Sequence, residues 1–548
     1  MTNAALYLHP DAHDSSGPLL VGRRSAGESF LRGFLQHADV ERFYFWCPPE
    51  HGETLEALVA RNGGLRRPAT WFRTRQRQPL CEAGVFHVPG PNLGAEAWSR
   101  RILGQAAYSI CGLTHTISSG RTTDNISDLL VAPVDGHDAM ICTSAAVRAA
   151  VEAQLEGVRA WFAQEYGGRR RRPEPQLATI PLGVETEAFA PRPSDRERWR
   201  QALDIPQDGV AALYVGRFSR REKMNPALMA IALERAAQAS PPLYWINAGW
   251  AETPEDAEAW EAVRRLCPSV GYRILDGRLP DVRTSIWAAA DFFLSFSDNI
   301  QETFGLTPVE AMAAALPCVI TDWDGYRDTV RHGEDGFRIP TTAPPPTSGR
   351  DLAYAHANAW ISYRDYVGAA AQLVAIDYAA AAEAISALAT NPDLRQRLGR
   401  QAQARARAHF DWSAVIPQYQ ALWGELNARR AAAAPEAVSF DNPFRPDPFS
   451  TYVGYSTRRL AANWTIALPP LTDIEAALEL LASDIADYSH YARLSAPERR
   501  TVLEELARLS PTTVAEVLKP FPVDAWPRIG RSLLWMARYG VVALAPPA

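Results

Sequence analysis

Two carboxylates with seven residues between them, Glu302 and Glu310, flank Phe304-Gly305-Leu306 and follow the apolar run 292–296. The local pattern predicts a strand, a glycine-bearing loop and then a helix. Thr307 would be the N-cap, Pro308 the first helical residue, and Glu310 three residues past the cap. Such a turn aims free backbone N–H groups and the positive end of a helix dipole at one point, which suits a phosphate or a sugar oxygen. A purely structural reading is also open, with Glu310 folded back on Thr307 as a capping box. Two cations stand upstream: Arg217 closes the strand-like Tyr214-Val215-Gly216-Arg217, and Lys223 precedes Asn225-Pro226, which opens a helix. An ordinary basic loop is the alternative there, and Arg220 and Arg221 fit it better. His115 ends the run 110–114; a lone His after a strand is more often a satisfied polar residue than a catalyst.

The stretch from Glu302 to Glu310 resembles the Glu-x7-Glu signature of retaining nucleotide-sugar glycosyltransferases, most closely glycosyltransferase family four, whose fold is GT-B. Residues 311–317 and 321–328 continue the resemblance. It implies Glu302 at the donor sugar, Glu310 on the ribose hydroxyls, and backbone of Phe304, Gly305 and Leu306 near sugar and diphosphate. A glycine at 305 fits, because close backbone approach to a ligand tolerates no side chain. Arg217 and Lys223 would hold the diphosphate, whose charge grows as the glycosidic bond breaks. Five residues separate the pair where the family usually has four. His115 matches a first-domain His that contacts the donor sugar. Residues 20–24 take the place of the family's first Gly-rich loop, ahead of a Ser25–Glu28 capping box, and only Gly22 carries over. Arg23 and Arg24 stand open to an anionic acceptor or to solvent.

The implied activity is a nucleotide-sugar-dependent, metal-independent hexosyltransferase in polysaccharide biosynthesis. It needs no cofactor, and its acceptor is unidentified: a glycan, a lipid-linked sugar or a protein. The rival class is a GT-B-shaped scaffold or binding protein recruiting a partner through its C-terminal extension. A phosphorolytic or epimerising enzyme is disfavoured by the match over 302–328.

These residues need elements to position them, and the bulk numbers allow for several. At 548 residues the chain exceeds one ordinary core, and a hydrophobic share of 47% with 22% charged residues is that of a globular protein. A net charge of −6 gives no reason to expect a nucleic-acid partner. The six cysteines are scattered without a Cys-x-x-Cys pair, so neither a disulfide framework nor a zinc site is expected. Neither a leader pattern nor a membrane-length apolar run stands out, and a cytoplasmic location is expected. Arg169–Arg172 form a basic run, either a solvated loop or a contact with the inner face of an anionic membrane.

Apolar runs alternate with helical patterns to about residue 430, as expected of α/β folding on parallel sheets. Strands are predicted at 4–9, 42–47, 84–88, 108–113, 139–143 and 177–180. A linker at 181–191 leads to a second series at 210–215, 243–248, 272–275, 292–296, 317–321 and 337–339. The expected division is a Rossmann-like acceptor-side domain (1–185), a Rossmann-like donor domain (186–430) and a mostly helical extension (431–548). Residues 351–376 look like an insertion relative to shorter family members, and the nucleobase is expected near 274–277. Leu533, Leu534, Trp535 and Tyr539 suggest an apolar docking face, so a protein partner of residues 440–548 is a further expectation.

Overall fold

The computed structural model describes residues 2–16, 22–73, 76–168, 172–238, 240–470, 472–489 and 493–547. Seven short parallel strands build the first sheet: β1 (Ala5–Tyr7), β2 (Phe43–Trp46), β3 (Ala69–Phe72), β4 (Val85–His87), β5 (Ser109–Leu113), β6 (Ala139–Cys142) and β7 (Gln176–Thr179). Their order is β3-β2-β1-β4-β5-β6-β7. β3 escaped the sequence reading because Ala69-Thr70-Trp71-Phe72 is short and only half-buried. Six parallel strands build the second sheet: β8 (Val210–Phe218), β9 (Leu243–Ala251), β10 (Gly271–Asp276), β11 (Phe292–Ser295), β12 (Cys318–Thr321) and β13 (Gly336–Ile339). Their order is β10-β9-β8-β11-β12-β13. The strands inside each sheet are apolar on both faces because helices cover both. Two facing parallel sheets make the GT-B fold that the motifs implied.

Each sheet reverses its direction of growth once, between β1 and β4 in the first and between β8 and β11 in the second. Such switch points open a crevice at the carboxyl ends of the strands. The linker into the second half runs beside the chain's return. The Val184 N–H donates to the Phe410 carbonyl at 2.8 Å, and Thr186 Oγ1 donates to Asp411 at 2.7 Å. The helix Trp412–Ala431 then packs on the helix Gly22–His37, burying Trp412, Tyr419 and Trp423 against Phe30 and Phe34. Trp412 Nε1 donates to Ser29 at 2.8 Å, and the indole leaves no room for a Cβ at Gly183. The last helix of the second half is thereby fixed to the first.

Residues 1–440 form one compact unit and 441–548 another. The second unit carries more strand than expected, a three-stranded antiparallel sheet of Thr465–Ala467, Thr512–Thr513 and Ala543–Ala545 beside helices such as Ala496–Leu509 and Trp526–Arg538. These strands are two or three residues long, below what an alternation pattern can reveal. The suggested docking face is largely this unit's own core. Leu533 is buried with Val502, Leu506 and Met536, Trp535 lies under Arg493 and Arg499, and the Tyr539 hydroxyl donates to the Ile485 carbonyl at 3.2 Å. Of the four, Leu534 alone is well exposed. Among the described residues no helix is long and apolar enough to cross a membrane. Residues 169–171 lie outside the described residues. Arg172 spends its guanidinium on Glu436 at 2.6 Å and Asp135 at 3.1 Å, which leaves it a weak membrane contact.

Candidate active site

β8 continues to Phe218, so Arg217 is a strand residue and not the first residue of a loop. Its guanidinium pairs with Glu252, just past β9, at 2.8 Å and with Glu222 at 3.3 Å. Lys223 Nζ pairs with Glu302 at 3.2 Å. Burial pushes the Glu302 carboxyl up, but the Lys223 ammonium and the N–H groups of Thr303 and Phe304 outweigh it and hold Glu302 below its ordinary value. Asp324 goes the other way: burial, then the nearby charge of Glu302, raises it well above the carboxylate range. One of its oxygens is buried without a partner, while the other accepts the Gly325 N–H. Glu302 is thus favoured in its charged form and Asp324 disfavoured in its own. Asp298, in the loop after β11, is pushed up to about 7 by burial.

The turn after Glu302 departs from the expected cap. The helix runs Leu306–Ala313, and Gly305 precedes it with φ 87°. That left-handed backbone admits glycine readily, and the Tyr326 ring occupies the space a Cβ would need. Tyr326 is itself tied to Ser295 at 2.9 Å. The chain therefore enters the helix ahead of the position a Thr307 cap would give it, and Thr307 and Pro308 are helical residues. Glu310 makes no capping box. Among the described residues no donor reaches its carboxylate, and burial, opposed by Arg283, raises it to about 7.

On the first half, His115 follows β5, in the crevice at the carboxyl edge of the first sheet. Burial, then the charges of Arg23 and His13, lower its imidazole to about 3, against the opposing Pro89 carbonyl. The ring is neutral. Arg23 reaches the same Pro89 carbonyl at 3.4 Å, which sets it beside His115. Gly22 is the first residue of the helix Gly22–His37 and has open space where a side chain would be. Residues 20–21 lie outside the described residues. Ser25 is inside that helix and caps nothing. Glu28 instead accepts from Arg61 at 3.0 Å and Asn62 at 3.1 Å, because it faces the neighbouring helix Gly52–Arg61.

The two halves meet around the Glu302 loop. Ser144 donates to the Thr303 carbonyl at 2.8 Å, and the Ala145 N–H donates to Asp328 at 2.5 Å. Arg220 and Arg221, read as solvated, are paired with Asp256 at 3.5 Å and Asp365 at 3.0 Å. At the expected base pocket Asp276 is held by Arg278 at 2.8 Å. Sequence reasoning missed Glu222, Glu252 and Asp324. The Glu302-to-Glu310 spacing pointed to none of them, yet Glu252 and Asp324 each follow a strand that neighbours the switch point, which was the available signal.

The family model for glycosyl transferases, group 1, matches residues 209–350, from β8 through β13. Residues 209–350 thus match a group 1 glycosyl transferase domain. The first half and the helix Trp412–Ala431 complete the two-sheet frame around that domain. The chain is 28% identical over 280 residues to a D-inositol 3-phosphate glycosyltransferase of Geodermatophilus obscurus, a match covering 50% of this chain and 52% of the relative. It is 24% identical over 368 residues to the phosphatidyl-myo-inositol mannosyltransferase of Mycobacterium tuberculosis, covering 66% and 80%. It thus spans about half the length of the first relative. Among solved structures, HepE of Anabaena in complex with UDP matches with a TM-score of 0.48 at 16% identity, over 77% of this chain and 100% of that one. Sucrose-phosphate synthase of Thermosynechococcus elongatus matches with a TM-score of 0.46 at 19% identity, over 78% and 99%.

Proposed function

We propose that the group 1 domain and the first sheet together form a retaining glycosyltransferase. It takes a sugar from a nucleoside diphosphate donor and passes it to a hydroxyl of an acceptor still to be identified. The observation that carries this reading is the set at the second sheet's switch point: Arg217 and Lys223 both held by carboxylates, with Glu302 charged. A diphosphate entering there meets two cations already oriented, and its oxygens replace part of their carboxylate contacts. As the bond from the anomeric carbon to the diphosphate oxygen breaks, those cations take up the added negative charge. The acceptor oxygen forms the new bond on the same face, and its proton passes to the departing phosphate oxygen. Glu302 lies against the sugar, Glu310 takes the ribose hydroxyls, and neutral His115 supplies a hydrogen bond to the sugar from the first half.

The test is a panel of nucleotide sugars without acceptor, read by release of free nucleoside diphosphate. One donor turned over slowly, with the rate lost in Lys223→Ala, is the expected result. A protein that binds no nucleotide in the panel would sink the proposal in favour of a scaffold.

A further inference from the structure

Residues 343–376 include two helices, Arg350–Ala357 and Tyr363–Ala371, placed between β13 and the helix Tyr378–Thr390. The second of these is anchored to the donor half. Arg364 pairs with Asp256, Asp365 pairs with Arg221, and the Ser362 side chain caps the helix by accepting from the Asp365 N–H at 3.1 Å. This fixes the first helical residue, Tyr363, whose hydroxyl donates to Gln301 Oε1 at 2.9 Å. With its one proton so used, the hydroxyl accepts from Ser118 at 2.9 Å and Thr116 at 3.2 Å. Gln301 passes the connection on, its amide donating to the Glu222 carbonyl at 2.8 Å.

The consequence is a single hydrogen-bonded path across the crevice. It starts in the loop immediately after His115, passes through Tyr363, and reaches the residue before Glu302. From there it arrives at Glu222, which borders Lys223 and pairs with Arg217. Of the groups given a role in the proposed function, His115, Glu302, Lys223 and Arg217 adjoin that path and Glu310 does not. We propose that Tyr363 is a positioning residue: it sets the spacing between the His115 loop of the first half and the Glu302 loop of the second. It touches no reacting atom. Its role rests on the transferase reading, since spacing matters for rate only if a sugar lies between those loops. A hydroxyl that satisfies three partners from two halves specifies one separation, because a shift of an ångström breaks at least one of the bonds. Misplacement on that scale costs rate much more than affinity.

The test uses the full chain and three variants, Tyr363→Phe, Ser118→Ala and the double variant. Tyr363→Phe keeps the ring beside His356 and removes only the hydroxyl. With an identified donor, kcat should fall about tenfold while KM for the donor changes by less than about threefold. Ser118→Ala should fall less, and the double variant should match Tyr363→Phe, since both changes cut one path. A Tyr363→Phe enzyme with wild-type kcat, or with losses that simply add to those of Ser118→Ala, overturns the proposal. Amide exchange gives a readout independent of activity. Exchange should rise at 114–119 and 299–303 in Tyr363→Phe and stay unchanged in the helix Trp526–Arg538. If no nucleotide sugar is turned over by the wild type, the transferase reading fails, while unchanged exchange in both loops would sink the positioning role itself.

Discussion

The crevice edges of the two sheets both carry ionisable groups, and they settle them in opposite ways. At the second sheet the charges are kept and paired, Arg217 with Glu222 and Glu252 and Lys223 with Glu302. At the first sheet the imidazoles are held neutral by burial: His13 near 4, and His87 and His115 near 3. Paired cations can exchange a carboxylate for a phosphate without a large change in local charge, which suits a site that must hold a charged leaving group and then release it. Neutral rings offer directed hydrogen bonds without competing for that charge. The first edge can therefore orient a sugar while the second manages the charge.

The largest expected effect breaks the charged edge. Arg217→Ala should lower turnover by about a hundredfold or more, because the leaving group's negative charge is larger in the transition state than in the bound donor. Binding of the bare nucleoside should hardly change. Steady-state kinetics on the identified donor decide it, and wild-type turnover would remove Arg217 from the site. Arg220→Ala is the comparator. It loses its pairing with Asp256, so it should show a small change in melting temperature and an unchanged kcat.

How much of this contrast was legible in the sequence follows from how each edge is built. The second edge is made of short contiguous stretches, Gly216-Arg217 and Glu302 through Glu310, each at a strand end, so residue type and spacing were enough to find it. The pairing that gives it character was not legible. Glu252 reaches Arg217 from the end of the neighbouring strand, and Asp324 is near Glu302 only because Gly325 lets its loop pack on the Phe304 backbone. The first edge depends on burial, which sequence does not report: nothing in Leu113-Thr114-His115 announces a ring held neutral. The strand ends were read to within a residue or two in most cases because buried parallel strands are continuous apolar runs. The Gly305 turn was misread because Thr-Pro is so strong a helix-start signal that it hid the glycine two residues earlier.

Glu310 sharpens the comparison, because this group of the second edge is governed by burial, as the imidazoles of the first edge are. Burial raises it to about 7, so the folded protein retains its proton where an unfolded carboxyl has lost it. Stability from this group is therefore greatest below the ordinary carboxylate range and falls as pH rises toward about 7. In the proposed site ribose hydroxyls would donate to the charged form, so nucleotide affinity should move the other way, strengthening by up to about tenfold between pH 6 and 8 with a proton released on binding. Calorimetric titration in buffers of different ionisation enthalpy measures both. Glu310→Gln should bind more weakly and lose the pH dependence. A wild-type affinity that is flat over this range would detach Glu310 from the ribose.

His115 offers a smaller test of the neutral edge. His115→Asn keeps a donor but moves it, so kcat/KM should drop roughly threefold to tenfold, the worth of one neutral hydrogen bond. The shape of the pH profile between 5 and 8 should be identical in variant and wild type, because a ring at about 3 does not titrate there. A limb near pH 6.5 present in the wild type and absent in the variant would make His115 a general base instead.

The smallest expected effect concerns the turn itself. A Thr at an N-cap contributes about 1 kcal/mol, and its loss to Ala would be easily measured. Here the cap position belongs to Gly305, and Thr307 is the second residue of the helix Leu306–Ala313. Its hydroxyl satisfies no orphan donor of the first turn, while Ala is the better helix former by a few tenths of a kcal/mol. Thr307→Ala should therefore change stability by less than about 0.5 kcal/mol, within the range of substitutions that break no cap or core contact. Gly305→Ala should cost much more, since it meets both a left-handed φ of 87° and the Tyr326 ring. Denaturant unfolding of the two variants side by side separates the readings. A Thr307→Ala loss near 1 kcal/mol with a tolerated Gly305→Ala would restore the threonine cap and move the start of the helix with it.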